Sequence, residues 1–460
     1  MYFNYNDGAL IHMKFFKNRN AGAVFLILEG IVYTTVLNLY NPFIQMFGKR
    51  MGAENIHIAL LNAAPPLVAL FVLIPFGILI ERINRKKQTV MLLLFIYSFF
   101  YAAIAFVPAI PHRSKVIIYV ILIGLMNGPG SLYLTTWQSY FADNFSGSYA
   151  NRIYTLRSKY SALFGLLTVL VTGLLLTNIP GSDGERLFLY QIFYGISFAL
   201  TLLQLFFFSR VTGRCDAGHG ALPAGSVDRV KGGYQAGKSK SVCGLKQDFK
   251  LMLADKPFLI FCLCGFVFHL TWQMGWPLFF IYNADYAGLN EFQLSLISVA
   301  AGFSQFASYT IWDKLIDKKG SGLAIILGAA GIAVNPLFFI TLQSFPVIFA
   351  VNLFSGVFVA GYALALFSGL LEVLPSDKKT IYISVFNTLT NITGFIAPLI
   401  GIKIYNMTDI YTAMIIIGLF RIFATLLYAI RWRFLRKKPA GGHVPGIIPE
   451  IKLPEKATQE

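Results

Sequence analysis

Two ionisable residues, Glu29 and Arg421, lie inside apolar runs of the sequence. Such groups cost roughly 2.5 to 3.5 kcal/mol at a bilayer centre, so they usually serve a function. A buried carboxylate can change its proton occupancy as its surroundings alternate between wet and dry, and Tyr33 follows Glu29 on the same helical face. Glu29 is therefore a candidate for proton coupling or cation recognition, with a structural pairing to another helix as the alternative. For Arg421 a partnered or snorkelling structural role is favoured over a ligand contact.

The stretch 269-HLTWQMGW-276 carries the clearest polar and aromatic stripe in the chain. His269, Trp272, Gln273 and Trp276 recur at helical spacing and therefore share one face. Aromatic walls with a few polar groups suit a small organic ligand. The alternative is that the tryptophans anchor a membrane interface or fill the contacts between helices.

Amides and aromatic rings in two further apolar runs are candidates for the same pathway. Asn127, Tyr133 and Trp137 lie in a run with a Gly-Pro-Gly sequence, which softens or bends a helix. Asn387 and Asn391 are one helical turn apart. They either face a cavity or hydrogen-bond across helices.

The composition indicates which elements must position these residues. The chain is 56% hydrophobic and only 13% charged, whereas soluble domains carry about a quarter of charged residues. About 20 apolar residues cross a bilayer as a helix. The sequence therefore predicts an all-α integral membrane protein with twelve spanning helices, at 21–46, 56–80, 88–110, 116–138, 156–178, 187–209, 257–282, 292–312, 322–342, 346–371, 381–404 and 410–431.

A polar interval rich in glycine, serine and lysine, 210–256, divides these helices into two groups of six. The predicted organisation is an N-terminal segment 1–20, a first six-helix bundle 21–209, a linker 210–256, a second bundle 257–431 and a disordered tail 432–460. Most lysines and arginines fall in loops on the same side as both chain ends. The positive-inside rule thus places both termini in the cytoplasm. The net charge of +17 is explained by this topology, and no nucleic-acid partner is expected.

Charged loops interrupt the apolar runs at equivalent places in the two halves, 77-GILIERINRKK-87 and 312-WDKLIDKKG-320. Charges that merely direct membrane insertion are the alternative explanation. The order of glycine, acid and base is nevertheless similar to the loop signature of the major facilitator superfamily, which reads Gly, three spacers, Asp, Arg, one spacer, Gly, Arg, then Arg or Lys. In the first loop, glutamate replaces the aspartate and asparagine replaces the second glycine. The second loop is a more degenerate copy.

This resemblance implies a duplicated twelve-helix fold with substrate bound between the halves. It also implies that helices 1, 4, 7 and 10 line the central cavity, which would place the candidates on the first, fourth and seventh helices there. In the family such loops act at the cytoplasmic gate. The residues that the resemblance assigns to that gate are Gly77, Glu81, Arg82, Arg85, Lys86, Asp143, Asp313, Asp317, Lys318 and Glu372.

The sequence thus predicts a secondary active transporter in the plasma membrane that moves a small organic solute by alternating access. A proton or another ion gradient is the expected driving force, as it is for the secondary transporters that the chain resembles. No cofactor or metal site is predicted, and the protein is expected to act as a monomer. A membrane-embedded transferase or hydrolase and a passive channel are the alternatives.

Overall fold

The computed structural model describes residues 21–81, 85–110, 114–145, 147–211, 252, 254–339, 344–374 and 379–436. Its described residues form helices and connecting turns without a strand. Twelve helices are long and apolar enough to cross a membrane. The predicted all-α fold with twelve spanning helices is confirmed.

The helices alternate in direction along the chain. The first is continued by a 3-10 turn, Asn41–Phe43, and a short helix, Ile44–Arg50, and the seventh by a π-helical turn, Tyr282–Tyr286. The twelve helices are α1 (Ala21–Tyr40), α2 (Asn55–Glu81), α3 (Lys86–Phe106), α4 (Ser114–Asn144), α5 (Gly147–Asn178), α6 (Asp183–Ser209), α7 (Lys256–Ile281), α8 (Glu291–Lys319), α9 (Ser321–Phe338), α10 (Phe345–Val373), α11 (Lys379–Met407) and α12 (Ile410–Arg436).

Helix packing repeats between the first six helices and the last six. In the first half α2 packs on α4, α1 on α5, and α3 on α6. The corresponding pairs α8 with α10, α7 with α11, and α9 with α12 recur in the second half. The halves meet through α2 against α11 and α5 against α8, which are also equivalent contacts. This is the duplicated bundle that the repeated loops predict.

Several helices extend beyond their apolar stretches. Helix α5 begins at Gly147 instead of the predicted 156, and α8 continues to Lys319 instead of 312. These extra turns are polar, so a search for apolar segments does not find them. Helix α8 begins with a capping box between Asn290 and Gln293 and ends at Gly320, whose φ of 83° suits glycine.

The bundle has two ends, which we name by their features. The termini face carries the start of α1 and the end of α12. The opposite latch face carries the end of α1, the start of α6, the end of α7 and the start of α8.

The apolar core differs between these two ends. Near the latch face one buried cluster is continuous across both halves and includes Phe47, Tyr194, Leu278 and Met414. Toward the termini face each half has a cluster of its own, one around Leu94 and Tyr140 and the other formed by α7 to α12. Among the described residues, the halves are therefore joined by a shared apolar cluster at one end only.

Candidate transport pathway

Ion pairs connect the two halves at the latch face. The Arg50 guanidinium contacts Glu291 Oε1 through Nε and Nη2, both at 3.0 Å. Its Nη1 lies 2.9 Å from Asp183 Oδ1. Lys49 forms an ion pair with Asp285, beyond the end of α7. Among the ion pairs between described residues, all those that join the halves lie at this face.

Glu291 is the buried centre of this latch, with only 1% of its side chain exposed. Arg186 also approaches it, with Nε at 3.9 Å from Oε1, and donates to Asp183 through Nη1 at 3.0 Å. A buried charge is costly unless it is paired, so removal of one partner typically costs about 3–5 kcal/mol. The latch is therefore strong only while Arg50 and Glu291 face each other across the two halves.

The α5–α8 contact is tightest just below the latch. A Cβ atom on Gly173 would lie 2.4 Å from Ser295 Oγ, so only glycine fits there. The Phe292 amide donates to Thr177 Oγ1 at 3.0 Å, across the same contact. Nearer the termini face the packing loosens, since a Cβ atom on Gly302 would find its nearest neighbour, Leu166 Cδ2, at 3.9 Å.

Two adjoining cavities, which we call the chamber, lie beneath the latch. The first, of 350 Å³, lies between the halves and is lined by Asn41, Pro42, Ile44, Gln45, Leu61, Asn62, Trp276 and Phe279. The second, of 270 Å³, lies within the first half and shares Asn41 and Ile44 with it. Three of the predicted pathway residues line the chamber: Tyr33, Asn127 and Trp276.

Glu29 lies in a buried polar network instead of the chamber wall. Its side chain is fully buried, with 0% exposed. Tyr133 Oη donates to Glu29 Oε1 at 2.5 Å, and Gln204 Nε2 donates to the same oxygen at 2.7 Å. Arg157 donates to Oε2 through Nη2 at 3.1 Å and Nε at 3.3 Å. The Arg157 guanidinium also stacks 4.1 Å from the ring centre of Trp137.

This network combines predicted residues with two that were not predicted from the sequence, Arg157 and Gln204. Glu29, Tyr133 and Trp137 were expected to line a pathway, and the structure places them around a single ion pair from α1 to α5. The position of Arg157 at the predicted start of a span does not indicate a buried role, because basic residues there usually set topology. Tyr33 links the network to the chamber, since its ring lies 5.3 Å from that of Tyr133.

The stripe on α7 is divided between the chamber and the helix contacts. His269 and Gln273 are buried, and neither His269 Nδ1 nor Gln273 Oε1 has a hydrogen-bond partner within the described part of the chain. Trp272 packs edge-on against the rings of His269 and Trp276. Trp276 is 37% exposed and faces the first cavity.

The remaining candidates lie elsewhere. Asn127 Nδ2 donates to the Pro65 carbonyl at 2.7 Å, which ties α4 to α2 beside the second cavity. Asn391 donates to the backbone carbonyl of Asn387 at 3.0 Å, and neither residue lines the chamber.

Arg421 is fully buried and donates only to backbone carbonyls among the described residues. Its Nη2 reaches the Trp272 oxygen at 2.7 Å, and its Nη1 and Nε reach those of Ile332 and Thr271 at 3.1 and 3.3 Å. It therefore ties α12 to α7 and α9. This arrangement fits the structural role favoured from the sequence.

The predicted gate residues that the structure describes lie at the termini face. Lys86 Nζ lies 2.6 Å from Asp143 Oδ2, a pair within the first half, and also donates to Ser139 Oγ at 2.7 Å. Arg82 lies outside the described residues, and of Gly77 and Glu81 only the helical backbone is described. The other predicted gate residues are exposed there: Arg85, Asp313, Asp317, Lys318 and Glu372.

The comparisons with known proteins agree on the fold. The model of the Major Facilitator Superfamily matches residues 261–450. A mutant form of the nucleoside transporter NupG superposes with a TM-score of 0.69 at 11% identity, over 89% of this chain and 100% of that one. No curated protein sequence matches the chain.

Two further solved structures superpose over similar lengths. A bacterial homologue of the human lysosomal transporter Spinster, in an inward-facing and unoccupied conformation, gives a TM-score of 0.59 at 14% identity, over 90% of this chain and 96% of that one. A bacterial metal transporter gives 0.63 at 12% identity, over 89% and 98%. The resemblance to the major facilitator superfamily is thereby confirmed. The chain therefore has the fold of the membrane transporters of that superfamily.

Proposed function

We propose that the protein is a secondary active carrier that moves a small organic solute by alternating access of the chamber to the two sides of the plasma membrane. The observation that supports the proposal is that the contacts between the halves differ at the two ends of the bundle. They share one apolar core and a set of ion pairs at the latch face, whereas each has a separate core toward the termini face. Two rigid halves joined in this way can rock about the chamber.

The described conformation is then the one closed at the latch face. With both termini in the cytoplasm, as the distribution of lysines and arginines favours, the chamber in this state is directed inward. We assign the opposite gate to the charged loops at Arg85 and Lys86 and at Asp317 and Lys318, which would approach each other when the latch opens.

In this proposal Glu29 is the residue that couples transport to protons. Its carboxylate can hold either a proton or the Arg157 guanidinium, and the network touches the chamber wall through Tyr133 and Tyr33. Protonation would release Arg157 from the ion pair. Exchange of these two partners would link proton occupancy to the packing of α1 against α5.

Alternating access is tested by the reactivity of one cysteine in the chamber. We would place Asn62→Cys in a background without the four native cysteines, reconstitute it in oriented proteoliposomes and add a membrane-impermeant thiol reagent to either side. We expect reaction from the termini face only. Adding Glu291→Gln, which removes one charge from the latch, should allow reaction from the latch face as well.

Thr408→Cys, exposed at the latch face outside the ion pairs, is the matched control and should react from that face in both backgrounds. Equal reaction of the chamber cysteine from both faces in the parent protein would indicate a channel and overturn the proposal. Unchanged protection after Glu291→Gln would show that the ion pairs do not close this face.

A further inference from the structure

The lining of the chamber defines the chemistry of the solute it can hold. We infer that the chamber binds an uncharged, ring-bearing solute with hydrogen-bonding groups along its edge, of the kind presented by a sugar or a nucleoside. This inference rests on the proposed carrier function and names the substrate class for the same site.

The first observation is the absence of charge. No acidic or basic side chain lines either cavity. The nearby charged groups are already paired: Lys49 and Arg50, on the short helix after α1, with carboxylates at the latch, and Glu29, on α1, with Arg157. A charged solute would therefore lose its hydration without meeting a counter-charge, which is strongly unfavourable.

A buried cation behind the wall adds to this selection. The Arg421 guanidinium lies 5.3 Å from the ring centre of Phe279, which lines the first cavity. Because Arg421 is 0% exposed, it cannot bind an anion in the chamber. Its positive potential nevertheless disfavours a cation there.

The second observation is a cluster of amides. Asn41, Gln45 and Asn62 line the first cavity on the side of the first half. Asn62 Nδ2 donates to the Ile58 carbonyl at 2.9 Å, and the amides of Asn41 and Gln45 have no hydrogen-bond partner among the residues described. An amide offers donors and an acceptor together, so this wall suits neutral groups such as hydroxyls and ring amides.

The third observation is a pair of rings on the opposite wall. Trp276 and Phe279 lie one helical turn apart on α7 and enclose the cavity from the second half. Ring faces stack on flat or ring-shaped solutes. The volume of 350 Å³ lies near the lower end of the range of about 300–1,000 Å³ for small-molecule sites, so the solute is small.

The experiment compares neutral solutes with charged ones of the same shape. Uridine and glucose are the neutral probes, uridine 5′-monophosphate and glucose 6-phosphate the anionic ones, and 5′-amino-5′-deoxyuridine and glucosamine the cationic ones. Binding to the full-length protein in detergent is measured by thermal shift and calorimetry up to millimolar concentration. We expect at least one neutral probe to bind about tenfold or more tightly than both of its charged counterparts. Comparison of the uridine set with the glucose set also shows whether the chamber prefers a nucleoside or a sugar.

Variants then locate the bound probe. Gln45→Leu should weaken binding about threefold to tenfold, the expected loss for one neutral hydrogen bond, and Trp276→Ala about tenfold or more, with Trp276→Phe in between. Asn352→Leu and Trp432→Ala are matched controls outside the chamber and should leave binding unchanged. Each variant should also show a cooperative thermal unfolding transition without ligand. This control shows that a variant that no longer binds is still folded.

The inference is overturned if neither neutral probe binds, if a charged counterpart binds as tightly, or if the chamber variants bind like the controls. Failure of the carrier proposal has a different signature. A protein that binds a neutral probe in the chamber but shows the same cysteine reactivity from both faces would retain the inference and lose the alternating-access proposal.

Discussion

At the scale of single residues, the ion pair between Glu29 and Arg157 is the most informative feature. The carboxylate is fully buried, and its four hydrogen bonds come from three different helices. Its position within an apolar run made Glu29 predictable as an unusual residue. Its partner was not predictable, because a sequence does not reveal which helix packs against α1 or how far a long basic side chain reaches into the bundle.

Arg157→Met is predicted to destabilise the protein by about 3–5 kcal/mol, because it leaves a buried carboxylate without its counter-charge. Glu29→Gln combined with Arg157→Met should cost less than the sum of the two single changes, since both charges are then removed together. Denaturant unfolding in detergent measures these free energies. Additive costs would contradict a direct pairing.

Glu29→Gln alone tests the role of this pair in coupling. In proteoliposomes loaded with a solute that the protein binds, the variant should still exchange solute across the membrane but should no longer accumulate it in response to a pH gradient. Asn352→Leu, which lies outside both the chamber and this network, should keep the response to pH. An unchanged pH response in Glu29→Gln would remove Glu29 from the coupling mechanism.

At the scale of elements, the spans were largely predictable and the contacts between them were not. Apolar length gave all twelve helices, because a bilayer imposes the same length on each crossing. The latch was not predictable from the sequence, because Arg50 and Glu291 are 241 residues apart and each resembles an ordinary charged residue at a helix end. The close approach of α5 to α8 was equally hidden, because Gly173 is one of 40 glycines in the chain.

Gly173→Ala is predicted to shift the protein away from the latched state. The added methyl group would overlap Ser295, and overpacking of this kind costs about 1–3 kcal/mol. The chamber cysteine at position 62 should then become reactive from the latch face. Gly302→Ala is the matched control on the same pair of helices, where the added methyl group meets only an ordinary contact. If both variants behave alike, the tight α5–α8 contact does not hold the latch face closed.

At the scale of the whole molecule, the duplicated bundle was predictable from the repeated charged loops, whereas its conformation was not. The two loops mark corresponding positions in the two groups of six helices. The conformation depends on small differences in packing between the two ends, such as the continuous core near Phe47 and Leu278. Sequence patterns carry no signal for such differences, because the same residues must pack in both states.

The most direct test of the account is a pair of interhelical distances measured together by double electron–electron resonance. Spin labels at Gly184 and Met407 report on the latch face, and labels at Gln88 and Lys319 report on the termini face, with one label of each pair in each half. In the parent protein we predict a short latch-face distance and a long termini-face distance. In Glu291→Gln the first should lengthen while the second shortens, because rigid halves rock about the chamber. Distances that both lengthen, or that do not change, would contradict this account.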